Sequence, residues 1–345
     1  MLILGIETSC DETAVALVDD HRRLRANLIR SQFDEHRAFG GVVPEIAARA
    51  HLQILAPMIA QALETADCKM ADLDGVTATA GPGLIGGVFV GVVMAKALAA
   101  ARELPFVAVN HLEAHALTVR LTAEQDFPYL LLLVSGGHCQ LLAVEGVGRY
   151  RRYGGTLDDA VGEAFDKTAK LLDLGFPGGP ALERAASQGD RERFALPRPL
   201  LGRPNLDFSF AGLKTAVRRV AEGLPPDAAQ ARLDLAASFQ AAVGEVLADR
   251  ARRALARFRQ ETGRPGPLVV AGGVAANAAL RQELATAAEA AGTELVAPPP
   301  ALCTDNGAMV AWAGLERLRL GLASPLEIAA RPRWPLEELT GEEAA

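Results

Sequence analysis

Two imidazoles four residues apart, His111 and His115 in the segment NHLEAHAL, are the first residues of this chain that could act together on a reaction. On a helix that spacing puts both rings on one face, where they can share a single metal ion. Two ligands do not fix a metal, so a third donor is required, and a plain pair of histidines on a solvated helix stays open on the spacing alone. A zinc-peptidase arrangement needs its general base directly after the first histidine. Leu112 stands there. The carboxylate comes one position later, at Glu113, and at about 100° per residue it points away from the imidazole face. A hydrolytic reading lacks its base.

Glycine turns supply the second kind of chemistry. In SGGH, Ser135 to His138, Gly136 and Gly137 sit between two apolar runs and let backbone N–H groups approach an anion with no Cβ in the way. A hairpin turn with no ligand fits the same residues. The earlier turn from Thr8 to Thr13 offers hydroxyls, amides and the acids Asp11 and Glu12. In LVVAGGVAAN, Gly272 and Gly273 follow a strand and Asn277 begins a helix, as a nucleoside contact or as a simple N-cap. Asp305 in CTDNGAM reads as another helix start and cap, Asp166 beside Lys167 and Lys170 as a solvated charge, and FPGGP, 176–180, as a turn.

These residues need elements to hold them. LILGI and AVALVD flank the first turn, and LLLLV and LLAVEG flank the second, so the chain contains two copies of strand, polar turn, strand. Between and after them helical and strand patterns alternate. Helices are predicted over VPEIAARAHLQILAPMIAQALETA, over GGVFVGVVMAKALAAA as a buried helix, and near 158–173, 231–262, 275–291 and 305–320. Strands are predicted at DGVTATAG, LPFVAVN, LVVAGG and ELVAP, and 187–207 is predicted to be irregular. Such alternation predicts largely parallel sheets with crossover helices.

Composition excludes several classes. At 345 residues, 50% hydrophobic and 22% charged, the chain has the balance of a globular α/β protein of two domains. Its apolar N-terminal run is too short for a signal peptide or a spanning helix, and Cys10, Cys68, Cys139 and Cys303 form no CxxC pair, which predicts a cytoplasmic protein with reduced thiols and no membrane. A net charge of -7 argues against nucleic-acid binding by bulk electrostatics. The arginines at 250, 252, 253, 257 and 259, and those at 149, 151 and 152, read as solvated faces.

In order and wording, GIETSCDET, GGVVPEIAARAH, GPGLIGG, VNHLEAH, LLVSGGH, GEAFDKTAKLL, FPGGP, FSFAGLKTAV, AGGVAAN and TDNGAM resemble the tRNA N6-adenosine threonylcarbamoyltransferase family over about residues 4 to 312. The resemblance implies an actin-like, sugar-kinase-like fold of the ribonuclease H-like type with duplicated lobes, the first at 1–127 joined by the tail 321–345 and the second at 128–320. It implies that His111, His115 and Asp305 hold one divalent metal ion, ferrous iron by the family's usual assignment, with zinc or magnesium as alternatives. It places Val134, Ser135, Gly136, Gly137, His138, Asp166, Gly179 and Asn277 at the adenylate substrate. Leu133 stands where the archaeal branch has a tyrosine ligand, Glu183 where many relatives have Asp, and Cys139 where threonine is common.

The implied reaction moves the threonylcarbamoyl group from threonylcarbamoyl-adenylate to N6 of the adenosine next to the anticodon, in tRNAs reading codons that begin with A, with release of AMP. No acid or base is assigned, and Asp11 and Glu12 are the candidates. Implied partners are tRNA, a non-catalytic paralogous subunit and a small P-loop ATPase, which would complete a basic surface this acidic chain lacks. The rivals are an ATP-binding phosphotransferase or ATPase of the same fold, which would carry an Asp where Glu7 stands, and a non-catalytic scaffold, which would be free to lose ligands that are all present.

Overall fold

The computed structural model describes every residue except Ala38, Gly40, Phe176, Pro226 and 341–345, so Phe176 of FPGGP and the end of the acidic tail lie outside the described residues. Strands β1 (Leu2–Glu7) and β2 (Glu12–Asp19) form the first hairpin, with Leu2 opposite Asp19 and Glu7 opposite Ala14, and β3 (Leu24–Ser31) pairs antiparallel with β2. After helices α1 (Phe33–Arg37) and α2 (Pro44–Thr65), β4 (Gly75–Gly81) runs parallel to β1. Helix α3 (Ile85–Arg102) leads to β5 (Phe106–Asn110), parallel to β4, and α4 (His111–Thr122) follows at once. The sheet order is β3-β2-β1-β4-β5. Its central strands β1 and β4 are buried on both faces; β1 is apolar as far as Glu7, and Thr77 and Thr79 of β4 donate to the Leu4 and Val310 carbonyls and to Glu7.

The second sheet repeats the plan. Strands β6 (Tyr129–Val134) and β7 (Cys139–Gly146) form its opening hairpin, followed by β8 (Arg149–Gly155). Helices α5 (Val161–Leu171), α6 (Gly178–Ala186), α7 (Ala211–Glu222) and α8 (Ala229–Thr262) intervene before β9 (Leu268–Ala271), which runs parallel to β6. Helix α9 (Ala278–Ala290) then connects to β10 (Leu295–Val296), parallel to β9. Taken from the other edge, the order β8-β7-β6-β9-β10 is that of the first sheet strand for strand. The repeated strand–turn–strand of the sequence is therefore a repeat of topology. The first sheet is mixed rather than largely parallel, because each unit opens on antiparallel hairpin pairs before its crossovers begin.

Contacts divide the chain into one unit of residues 1–125, 146–150 and 305–345, and another of 126–145 and 151–304. The last helix, α10 (Gly307–Arg319), expected in the second lobe, belongs to the first unit. The reason is steric fit. A Cβ added to Gly5 of β1 would stand 2.3 Å from the Gly307 carbonyl oxygen and 2.4 Å from the Ala311 nitrogen, and one on Gly307 would stand 2.5 Å from the Ala16 nitrogen. Helix and sheet backbones touch where side chains would ordinarily intervene. The tail follows into the same unit: Ser324 N–H donates to the Phe106 carbonyl (2.7 Å) and Arg331 N–H to that of Ala80 (2.7 Å).

Three further expectations are corrected. Helix α3 is half buried: Gly87, Val88, Gly91, Val92, Ala95 and Ala99 face inward, while Ile85, Phe89 and Val93 are exposed because only one side of the helix meets the unit's core. By length and composition alone it could cross a membrane, with 33% of that stretch buried. Arg250 is no surface residue; it is fully buried, and its guanidinium donates to the carbonyls of Leu200, Arg203 (2.8 Å) and Asn205, fastening the irregular 187–207 segment to α8. The Gly178–Gly179–Pro180 part of FPGGP is the first turn of α6, where a proline costs no helical hydrogen bond.

The contact between α10 and β1 makes a prediction. Gly5→Ala must push backbone against backbone, and we expect it to lower unfolding free energy by roughly 1–3 kcal/mol or more. Urea titration of the variant beside the unaltered chain measures this, and unchanged midpoints would show that the approach is loose.

Candidate functional site

Asn110 sets where α4 begins. Its side-chain oxygen accepts from the N–H groups of Leu112 (2.9 Å) and Glu113, and its amide donates to the Trp334 carbonyl (2.8 Å), so the helix starts at the end of β5 with His111 as its first residue. His111 and His115 then lie one turn apart, both buried, with ring centroids 4.7 Å from each other. Asp305 precedes α10, but the cap of that helix is Asn306, whose side chain accepts from Met309 N–H at 2.9 Å. The simple capping role expected of Asp305 is thus filled by its neighbour. One Asp305 carboxylate oxygen lies 3.1 Å from His115 Nε2 and 3.5 Å from His111 Nε2. All three potential ligand atoms fall within 4.8 Å of one another.

A fourth residue, missed in the sequence, orients this group. Glu7, the fully buried last residue of β1, has one carboxylate oxygen 3.0 Å from His111 Nδ1, and the same oxygen accepts from the Thr79 hydroxyl; its other oxygen accepts Ser9 N–H at 2.6 Å. A carboxylate on Nδ1 fixes the tautomer and leaves Nε2 as the donor atom facing Asp305, the arrangement that commonly stands behind metal-bound histidines. The signal for it was a carboxylate ending an apolar buried strand. Two imidazole nitrogens and one carboxylate oxygen are a donor set that suits a first-row divalent ion.

The charges agree with such an ion. Burial alone would lower the His111 pKa, but the negative charges of Asp305 and Glu7 outweigh it and raise it to about 9. Burial would raise Glu7, and the charge and hydrogen bond of His111 reverse this, leaving its carboxyl below the ordinary value. Glu12 is pushed up to about 9 by burial first, then by the charges of Asp305 and Asp11. The region holds more negative charge than it can comfortably keep.

The turn after β1 is pinned at several points. Thr8 donates its hydroxyl to the Gly87 carbonyl (2.9 Å), and buried His51 of α2 lies 2.7 Å from the Thr13 hydroxyl through Nδ1 and 3.0 Å from the Cys10 carbonyl through Nε2. This holds Asp11 and Glu12 in place. Glu113 is committed elsewhere, as its helical phase required. It pairs with Arg317 (2.9 Å) and accepts from Gly148 N–H (2.9 Å) and the Tyr150 hydroxyl (3.0 Å), so it supplies no base to the imidazole face.

In the second unit the Ser135–His138 turn closes on itself through Ser135 N–H to the His138 carbonyl (2.8 Å). It is docked on α5, where the N–H groups of Gly162 and Glu163 donate to the carbonyls of Ser135 and Gly136 (both 3.2 Å). A Cβ on Gly136 or Gly137 would meet nothing within 4 Å, and neither residue has a positive φ. Internal packing does not explain the two glycines, whereas room for an approaching group does. Gly179 is open in the same way. Asp166 lies against the start of α6, its Oδ1 2.7 Å from where a Gly178 Cβ would be. Asn277 caps α9 by accepting Leu280 N–H (2.9 Å) and donates to Gln240 (2.9 Å), while Glu183 accepts Ala278 N–H at 2.7 Å. Val134 is the buried end of β6, and Cys139 is buried and unpaired.

Two sheets of one order, each loaded with polar residues at the carboxyl ends of its parallel strands, define an α/β protein of the two-lobed actin-like class. T. kodakarensis HypF shares the fold with a TM-score of 0.61 at 16% identity, over 92% of this chain and 48% of that one. The activator of 2-hydroxyisocaproyl-CoA dehydratase from Clostridium difficile gives 0.51 at 13%, over 92% and 97%. The family profile described as tRNA N6-adenosine threonylcarbamoyltransferase matches residues 23–312. Proteins of that name from Rhodospirillum rubrum and Methylorubrum extorquens (strain PA1) are 62% and 60% identical, over 97% and 98% of this chain and 94% and 99% of theirs. The chain belongs to the tRNA N6-adenosine threonylcarbamoyltransferase family, and it is a transferase of tRNA modification.

The His111 environment yields a pH prediction. Its folded pKa of about 9 lies above the ordinary 6.5, so in the metal-free chain its stabilising charge is fully present below 6.5 and is lost as pH rises through 9. A metal must displace that proton, so affinity should climb about tenfold per pH unit over this window. Glu7→Gln should end the climb at lower pH and weaken binding roughly 10–100-fold. Competition with a chromophoric chelator measures both, and a pH-independent affinity would contradict the protonated state of His111.

Proposed function

We propose that this chain transfers the threonylcarbamoyl group from threonylcarbamoyl-adenylate to N6 of the adenosine beside the anticodon, in tRNAs reading codons that begin with A. The observation that carries the reading is the meeting of His111, His115 and Asp305, with Glu7 behind His111. A divalent cation held by those three residues, ferrous iron first and zinc or magnesium as alternatives, would supply Lewis-acid polarisation of the carbamoyl carbonyl and a grip on the threonyl end.

The protein groups have separate tasks. Adenine N6 is a weak nucleophile because its lone pair is shared with the ring, so the donor carbonyl must be held in position and activated. N6 forms the new bond to the carbamoyl carbon, the bond from that carbon to the phosphate oxygen breaks, AMP departs with the electron pair, and N6 gives up a proton. Asp11 and Glu12 are the candidates to take it, Glu12 only once a bound cation has displaced the proton that its raised pKa of about 9 holds. The exposed amides of Gly136 and Gly137, with Ser135 and His138 at either end of the turn and Val134 behind it, would seat the phosphate; Asp166 of α5, with Gly179 and Asn277 at the starts of α6 and α9, would hold the adenosine. The acceptor tRNA, a paralogous non-catalytic subunit and a small P-loop ATPase are the proposed partners, in the cytoplasm.

His111→Ala, assayed for transfer from preformed adenylate to unmodified tRNA, should lose more than the roughly 10–100-fold typical of a group behind the ligands. Asp305→Asn should match it. Undiminished transfer in either variant would remove the cluster from the chemistry.

A further inference from the structure

Two family-like strings, GEAFDKTAK and FSFAGLKTAV, bring their lysines together although they lie far apart in the chain. Lys167, Lys170 and Leu171 of α5 and Lys214, Thr215 and Arg218 of α7 line one groove of the second unit, about 310 Å³ in volume. Four cations share it. Asp159 and Glu163 answer two of them at one end: Asp159 pairs with Lys214 and Lys167, and Glu163 lies 2.5 Å from Lys167. Among the described residues Arg218 pairs only with exposed Glu222, at 3.8 Å, a contact worth little in water. Lys170 makes no ion pair among the described residues.

A solvated face is the ordinary explanation of lysines on one helix. It does not explain why Lys170 and Arg218, from two helices, line the same groove beside Lys167 and Lys214, which already occupy Asp159 and Glu163, in a chain whose net charge is -7. The groove also runs along the helix that carries the Ser135–His138 turn, since Gly162 and Glu163 hold that turn at the start of α5. From Glu163 to Lys170 is about 10 Å along the helix. That is the length of about three stacked nucleotides at roughly 3.4 Å each.

We infer that the α5–α7 groove seats the phosphodiester backbone of the acceptor RNA beside the modified adenosine, with Lys170 and Arg218 as its phosphate contacts and Leu171 against a sugar. The inference rests on the proposed role of the Ser135–His138 turn and adds a docking surface to it. A groove with so few unanswered cations releases few counterions, in keeping with a net charge of -7 that argues against nucleic-acid binding by bulk electrostatics.

The test uses the full-length chain and a labelled anticodon stem-loop RNA, followed by fluorescence anisotropy from about 50 to 200 mM salt. Lys170→Ala and Arg218→Ala are exposed changes away from the proposed metal and turn residues. Each should weaken RNA binding roughly three- to tenfold and reduce the slope of log affinity against log salt by about 1. In transfer assays the RNA KM should rise with kcat unchanged. Unaltered affinity and slope in the double variant would overturn the inference, as would absence of RNA binding by the unaltered chain at the lowest salt. Equal competition by inorganic phosphate or AMP would assign the groove to a small anion instead, and stronger competition by a poly-glutamate peptide would assign it to an acidic protein; both also overturn it. If the unaltered chain binds RNA but His111→Ala leaves transfer intact, the mechanism fails while the groove stands.

Discussion

The site depends on how α10 is held against α4. One helix supplies both imidazoles, and the residue before the other supplies the carboxylate, from 190 positions further along the chain. The surface between α10 and β1 is glycine and alanine backbone, which permits close approach yet is smooth and says little about register. Register comes from charge. Arg120 of α4 grips Glu316 of α10 through its Nε at 2.8 and 3.0 Å, and Arg317 of α10 grips Glu113 of α4 at 2.9 Å. A shift along either helix would break both pairs and strand buried charges, which is far costlier than the pairs are favourable. The cost of misalignment, more than the strength of the pairs, keeps Asp305 where the imidazoles point.

The same logic governs the cluster itself. Cys10 and Glu12 are both raised, chiefly by burial and in part by the charge of Asp305, so the surroundings carry a negative potential with burial that forbids its screening by water. Such a place favours a cation by electrostatics before any ligand bond is formed. Binding one would relieve the strain that otherwise keeps Glu12 protonated and His111 charged, and so couples the cluster's charge state to the stability of the first unit.

How much of this was legible in the residues follows from the range of each interaction. The paired hairpins, α2, α8 and α9 were readable because apolar periodicity is local. Strand β3 was not: as an edge strand with the sequence LRANLIRS it is half exposed, and its charges hide its period. The His111–His115 pair was visible in its spacing, whereas the part played by Asp305 needed the knowledge that Asn306 takes the cap. Glu7 showed only as a carboxylate at the end of an apolar strand; that it answers His111 is a contact across the fold. Arg250 misled for the converse reason, since a helix full of arginines gives no sign of which one the 187–207 segment will cover.

The two sheets also explain why one topology can serve opposite charges. In both, the polar residues gather at the carboxyl ends of the parallel strands, where α/β folds place their ligands. In the first unit Asp11 and Glu12 stand where the turn after the opening strand meets β2, and His111 opens α4 directly after β5, so donors that suit a cation follow those strands. In the second the corresponding turn carries Gly136 and Gly137, with backbone amides and helix starts, which favour an anion. The strand order fixes where a ligand can sit; the residues in the turns decide its sign. On the proposed reading a shared strand order would serve two unlike ligands, one for each unit, although the helices between strands differ, two before β4 and four before β9.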